Sequence, residues 1–213
     1  MRVDPYLLCD PSDKTALEID NALAQLEYIE HLVHDRRITD LRTSHVRELK
    51  RIATDRIYPC GDAYRDAFRQ VRIEGSRHEL PHESLVLSLV DEMIDKLNAD
   101  RERHGAVERA AYAIWRINWI HPFPGGNGRT ARALGYLILC LDLGRVPGGT
   151  PQFPTLLYDA AAAYTRALRH ADAGAKQGIP DLKPMIALVN DAITRQLQGL
   201  IERNVPSKPW DQS

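Results

Sequence analysis

Cysteine is scarce: it occurs three times in 213 residues, as Cys9, Cys60 and Cys140, with no close pair. That spacing excludes a disulfide framework and a four-cysteine zinc site, and it points to a reducing compartment. A surplus of either charge is also missing, because 28 Lys and Arg face 29 Asp and Glu for a formal net charge of -1. Tight binding to a phosphate backbone draws on a basic excess, so no nucleic-acid partner is expected. Long hydrophobic runs are absent as well. The longest uncharged apolar run, Leu134 to Leu141, is too short to span a bilayer. Met1 to Asp10 lacks the basic start and apolar stretch of a signal peptide. A cytoplasmic protein with no membrane partner is expected, with export that needs no signal peptide left open. What remains, 44% hydrophobic and 27% charged residues, is the composition of a soluble globular domain with a sizeable core.

Apolar residues repeat at helical spacing over most of the chain. Leu17, Leu23, Leu26 and Ile29 predict a helix from Lys14 to Leu32, and a second runs from about Leu41 to Ile57. Pro59 and Gly61 then break the pattern. Val71, Arg72, Ile73 and Glu74 alternate like a strand before Gly75-Ser76, which predicts a small β-hairpin ending near Leu80. Pro81 suits the first turn of a helix carrying Leu85, Leu89, Met93 and Leu97. Further helices are predicted over Glu108 to Ile120, Asn127 to Leu143, Leu156 to Ala173 and Leu182 to Glu202, followed by a loose tail, 203–213. The fold class is therefore mainly α with one hairpin.

Chemistry concentrates between two of these helices, in His121-Pro-Phe-Pro-Gly-Gly-Asn-Gly-Arg129-Thr-Ala-Arg132. Gly125, Gly126 and Gly128 leave backbone N–H groups free to converge, and the helix expected to begin at Asn127 aims its positive end into the same loop. Arg129 and Arg132 share one helix face and are placed to clamp neighbouring phosphates. A polyphosphate is the natural ligand. At the other lip, a neutral His121 imidazole can take a proton from an attacking hydroxyl, which suggests transfer from a nucleoside triphosphate. Taken alone, His121 before a proline reads first as a helix cap, and the glycines and arginines around it reverse that reading.

This stretch resembles the signature of the Fic family, His-x-Phe-x-acidic-Gly-Asn-Gly-Arg-x-x-Arg, at every fixed position except the acidic one, where Gly125 stands. The similarity extends to Gly61-Asp-Ala-Tyr-Arg65, to the hairpin 71–80 as the family's flap, and to the helix before the motif. It implies a Fic-type helical bundle with the hairpin flap, a Fic core over 56–202, and residues 1–55 as an N-terminal helical extension. It also implies transfer of AMP from ATP to a Ser, Thr or Tyr hydroxyl of a target protein. By that resemblance His121 is the general base. Asn127 with the Gly126 and Gly128 amides, together with Gly125, surrounds the transferred phosphate, and Arg129 and Arg132 bind the remaining phosphates. Phe123 is a core anchor, and Arg72, Ile73, Glu74 and Gly75 form the target-docking flap.

The acidic residue of the family pattern holds magnesium, and glycine offers no ligand. Another acidic residue serves, or the phosphates hold the metal, or the protein is a degenerate Fic module with weak, lost or altered-donor activity that binds nucleotide as a regulator. No metal ligand is identified in the sequence. The family's inhibitory pattern, Ser/Thr-x-x-x-Glu-Gly/Asn, is approached by Ser44 and Glu48, which Leu49 follows, and by Thr15 and Glu18, which lie one residue too close. Both are read as helix surface, and control by a separate inhibitory partner stays open. His78-Glu-Leu-Pro-His82 spells a zinc-protease string, yet Pro81 within it opposes the continuous helix that zinc ligation needs. His31 and His34 are read as exposed, Trp115 and Trp119 as a core stripe, Tyr64 and Arg65 as packing residues, and Arg36-Arg37 as solvated.

Overall fold

The computed structural model of the chain describes residues 7–35, 38, 40–59, 61–66, 71 and 78–204. Arg72, Ile73, Glu74 and Gly75 of the expected flap lie outside the described residues, as do Arg36, Arg37, Cys60 and tail residues 205–213. Among the described residues the structure is helical and contains no strand.

The helices are α1 (Lys14–His34), α2 (Thr43–Ala53), α3 (Val86–Ala99), α4 (Ala106–Ile120), α5 (Asn127–Leu143), α6 (Phe153–Asp159), α7 (Ala161–Ala175) and α8 (Lys183–Asn204). Because α5 is apolar on every side from Ala133 to Leu141, this stretch must lie at the centre. Ala131, Leu134, Tyr136, Leu137, Ile138 and Cys140 are all buried. Helix α4 packs along it closely, and a side chain at Gly135 would meet Ile114 Cδ1 at 2.7 Å. Around this pair, α1, α2 and α6 pack on α5, while α3, α7 and α8 pack on α4. The N-terminal helices share the main core, since Ile29, Leu32, Val46 and Leu49 belong to the same buried cluster as Ile114 and Leu134.

Helix ends follow local chemistry. Glu108 accepts from the Gly105 N–H at 3.1 Å and satisfies a donor at the start of α4. Asn98, near the end of α3, exchanges two 2.9 Å hydrogen bonds with the backbone of Leu41 and fixes the approach to α2. Two expected helices differ in detail. The single helix from Leu156 to Ala173 is two, α6 and α7, separated at Ala160 with φ -82° and ψ 24°. The burial of Phe153, Leu156 and Leu157 orients α6, and packing overrides the helix-forming bias of its alanine-rich neighbour. Pro81 does not enter α3 either: residues 78–82 are non-helical, a 3-10 turn Glu83–Leu85 follows, and the His82 side chain accepts from the Ser84 N–H.

Gln196 of α8 binds the connection between α5 and α6. Fully buried, it accepts from the Phe153 N–H at 2.8 Å and donates to the Tyr136 hydroxyl and the Pro147 carbonyl, each at 2.8 Å. Gln196→Leu strands the Phe153 N–H and leaves the Pro147 carbonyl only a 3.5 Å contact from the Tyr136 hydroxyl, at about 1–3 kcal/mol for each unsatisfied group. A stability loss of roughly 3 kcal/mol in urea denaturation is expected, and a loss within error would show that this connection does not depend on Gln196.

Candidate functional site

The loop begins where α4 ends. His121 takes a left-handed backbone conformation, φ 49° and ψ 57°, at the C-cap of α4. A non-glycine residue pays on the order of 1 kcal/mol for that geometry and needs its surroundings to hold it. Arg65 does so. Its backbone N–H donates to the Pro122 carbonyl at 2.8 Å, and its side chain donates to the carbonyls of His121 at 3.0 Å, Pro81 at 2.5 Å and Ile120 at 3.4 Å. These are carbonyls that a helix end leaves without intrahelical partners. Arg65, expected only to pack, therefore shapes the loop.

Burial pushes the His121 imidazole down to about 4, and the Arg65 charge lowers it further while the Asn118 backbone opposes the shift. The ring is neutral at pH 7, and its buried Nδ1 makes no hydrogen bond. Phe123 is fully buried as expected. The Lys50 ammonium lies 5.7 Å from its ring centroid and donates to the Gly61 carbonyl.

On the other side of the loop, Asn127 is buried, and its side chain clamps the Phe123 backbone, accepting from its N–H at 3.0 Å and donating to its carbonyl at 2.8 Å. Asn127 thereby bends the chain so that α5 starts pointing into the loop. Gly126 caps α5 with φ 80°, and a side chain there would meet Thr54 Cγ2 at 2.6 Å. Only glycine meets both constraints.

The two motif arginines have different neighbours. Arg132 lies 5.4 Å from the centroid of the exposed Tyr158 ring and hydrogen-bonds Tyr164, whose hydroxyl is also 2.9 Å from Asn118 Nδ2. Arg129 is largely buried, which lowers its pKa, and Glu18 of α1 opposes that shift. Their separation is 3.5 Å, yet Arg129 Nη1 makes no hydrogen bond. Glu18, read from its spacing as helix surface, thus reaches the site. Its only sequence signal was an incomplete motif, because the partner lies 111 positions away, 129 minus 18. Lys14, one helical turn earlier, places its ammonium 3.5 Å from the Tyr58 hydroxyl and 5.9 Å from that ring's centroid.

Gly125 is not in the left-handed region, and a Cβ there would lie 3.3 Å from Tyr58 Cε2. Among the described residues, no three His, Cys, Asp or Glu side chains gather to hold a metal.

Of the other singled-out residues, His78 is near enough to lower the His121 imidazole slightly, and the rest serve separate contacts. Glu48 pairs with Arg51 at 2.7 Å on the α2 surface, and His34 lies 3.7 Å from Glu30. His78 Nε2 donates to the Trp119 carbonyl at 2.8 Å, and His82 Nδ1 is 2.9 Å from Ser84 Oγ, so the two histidines of the protease-like string serve different contacts. Trp115 is buried with its indole N–H on Asp172 at 2.9 Å, and Trp119 packs beside it at a centroid distance of 6.2 Å.

Residues 40–139 match the model of the Fic/DOC family. Over 106 residues, 49% of this chain, the sequence is 35% identical to the protein adenylyltransferase fic-1 of Caenorhabditis briggsae. The chain spans 18% of the length of that relative. Fic-1 (aa134 - 508) from C. elegans superposes with a TM-score of 0.68 over 97% of this chain and 56% of its own, at 22% identity. The BepC protein of Bartonella tribocorum, solved with bound AMPPNP, gives 0.61 over 86% of this chain and 87% of its own, at 15% identity. These structures share the fold. The matched segment contains α2 to α4, the whole loop from His121 to Arg132 and most of α5, so the similarity to the Fic/DOC family falls on the part of the chain that carries the loop.

Proposed function

We propose that the chain is a protein adenylyltransferase that moves AMP from ATP onto a Ser, Thr or Tyr hydroxyl of a target protein. The observation that carries it is a buried, neutral His121 held by Arg65 at one lip of a glycine loop whose other lip is a helix start bearing Arg129 and Arg132. The name of the Caenorhabditis briggsae relative and the AMPPNP in BepC support the same chemistry.

In this reaction the target hydroxyl oxygen attacks the α-phosphorus of ATP, its proton passes to His121, and the bond to the β-phosphate oxygen breaks with release of pyrophosphate. Such a displacement depends mainly on positioning and charge neutralisation. Backbone N–H groups at Gly126, Asn127 and Gly128 face the transferred phosphate, and Arg129 and Arg132 take the others. The Asn127 side chain contributes by holding the loop shape through Phe123. Arg72, Ile73, Glu74 and Gly75 supply the edge on which a target segment docks through its backbone. The scarcity of cysteine supports a cytoplasmic setting. The residues at Gly125 do not fit a divalent metal, since they provide an aromatic ring and no oxygen ligand of the usual kind.

If His121 is the base, His121→Ala lowers AMP transfer by at least about a hundredfold, the low end for a positioned acid or base, and leaves ATP binding near the parent value. Transfer of labelled AMP and calorimetry measure the two, and a variant as fast as the parent excludes the role. The free-enzyme pH profile should be level through neutrality and decline only as pH falls toward about 4, where the imidazole protonates. Stability moves in the same direction. The folded-state value lies below the unfolded one, so the unfolded chain binds the extra proton first, and stability falls between about 6.5 and about 4.

Glu18 competes with phosphate for Arg129. Glu18→Gln removes the competing charge and should tighten ATP binding severalfold, while Arg132→Ala should weaken it; fluorescence titration with a labelled nucleotide checks both. Unchanged affinity in Glu18→Gln would show that the carboxylate does not restrain the site.

A further inference from the structure

We infer that Lys14 supplies the positive charge at the donor phosphates for which Gly125 provides no metal ligand, and that nucleotide binding by this chain is therefore independent of divalent metal. This rests on the proposed reading of the loop as a triphosphate site.

The place where a ligand-bearing side chain would start is faced by carbon atoms. From the Cβ position of Gly125, Tyr58 Cε2 lies at 3.3 Å, Cδ2 at 3.5 Å and Cζ at 3.7 Å. Backbone conformation does not impose glycine there, since its φ is outside the left-handed region. The space beside the loop has been given to an aromatic ring, and that ring leads to an ammonium group: Lys14 Nζ is 3.5 Å from Tyr58 Oη. A contact of that length is a weak hydrogen bond, so the ammonium can leave it for a charged acceptor. Among the described residues no carboxylate pairs with Lys14.

Helix α1 holds Lys14 at this point by contacts further along its length. Asn21 donates to the Asp55 carbonyl at 2.9 Å and Gln25 to the Leu49 carbonyl at 2.7 Å, both at or just beyond α2. Lys14 and Glu18, four residues apart, lie on one face of the helix. Because Glu18 reaches Arg129 of the motif, that face lies over the loop. Glu18 is also the acidic group the structure does bring to the site, and Arg129 engages it, which leaves it poorly placed to serve as a metal ligand. A lysine ammonium is a compact point charge on a flexible stem and a recurrent phosphate binder. With Arg129, Arg132 and the α5 N-terminus it completes a set of cations drawn wholly from this chain.

The test is calorimetric titration of ATP into the full chain in EDTA and in millimolar magnesium, for the parent, Lys14→Gln and Lys14→Arg. The parent should bind with affinities within about threefold in the two buffers, a difference well below the tenfold that corresponds to 1.4 kcal/mol. Lys14→Gln should weaken ATP binding in EDTA by about tenfold, consistent with loss of one charge-assisted contact. Lys14→Arg should retain most of the affinity, and adenosine should bind parent and variants alike, which a merely misplaced helix would not allow. Binding by the parent that requires magnesium overturns the inference and leaves the triphosphate site intact, and so does parent-like binding by Lys14→Gln in EDTA. No ATP binding by the parent in either buffer overturns the phosphate site itself, and the role of Lys14 with it.

Discussion

With its guanidinium on the carbonyls of Ile120, His121 and Pro81, and its own N–H on Pro122, Arg65 closes the end of α4 and pins the first residues of the loop in one place. The left-handed turn at His121 is tolerable because these contacts over-determine it. The same guanidinium acts electrostatically on the imidazole it positions, adding to the burial that keeps His121 neutral. One side chain thus sets the direction of the backbone at His121 and adds its charge to the burial that lowers the imidazole. Its bond to Pro81 also ties the non-helical segment 78–82 to the end of α4.

Across the loop, Asn127 performs the complementary task. Its reciprocal bonds to Phe123 make the bend between the two central helices rigid, and buried Phe123 anchors that bend in the core. The close approach of α4 and α5 at Gly135 keeps the two lips at a constant separation. Around this frame positive charge is concentrated without full compensation. Arg129 carries a buried Nη1 lacking a hydrogen bond, Lys50 lies against the Phe123 ring, and Arg132 stacks by Tyr158. Of these three cations, Lys50 donates to the Gly61 carbonyl and Arg132 hydrogen-bonds Tyr164, so the unmet donor is at Arg129, where burial is costly for a charge.

Helix α1 turns what looks like an added segment into part of the site. It contributes Ile29, Leu32 and Val33 to the common core, and its first turns bring Lys14 to Tyr58 and Glu18, of opposite charge, to Arg129. One face of one helix therefore holds both a cation beside Tyr58 and a carboxylate beside Arg129.

The helical class, the positions of α1 to α5 and the loop from His121 to Arg132 were legible in the sequence, because each depends on local period or on contiguous residues. Apolar spacing marks a helix wherever its partner lies, and the break between two helices is carried by contiguous residues within 121 to 132. The break at Ala160, the grip of Arg65 on α4, the pairing of Glu18 with Arg129 and the seating of Tyr58 on Gly125 were decided only by tertiary structure. Each joins groups whose proximity arises from how whole helices pack, and no local pattern records which distant side chain will fill the space that packing leaves.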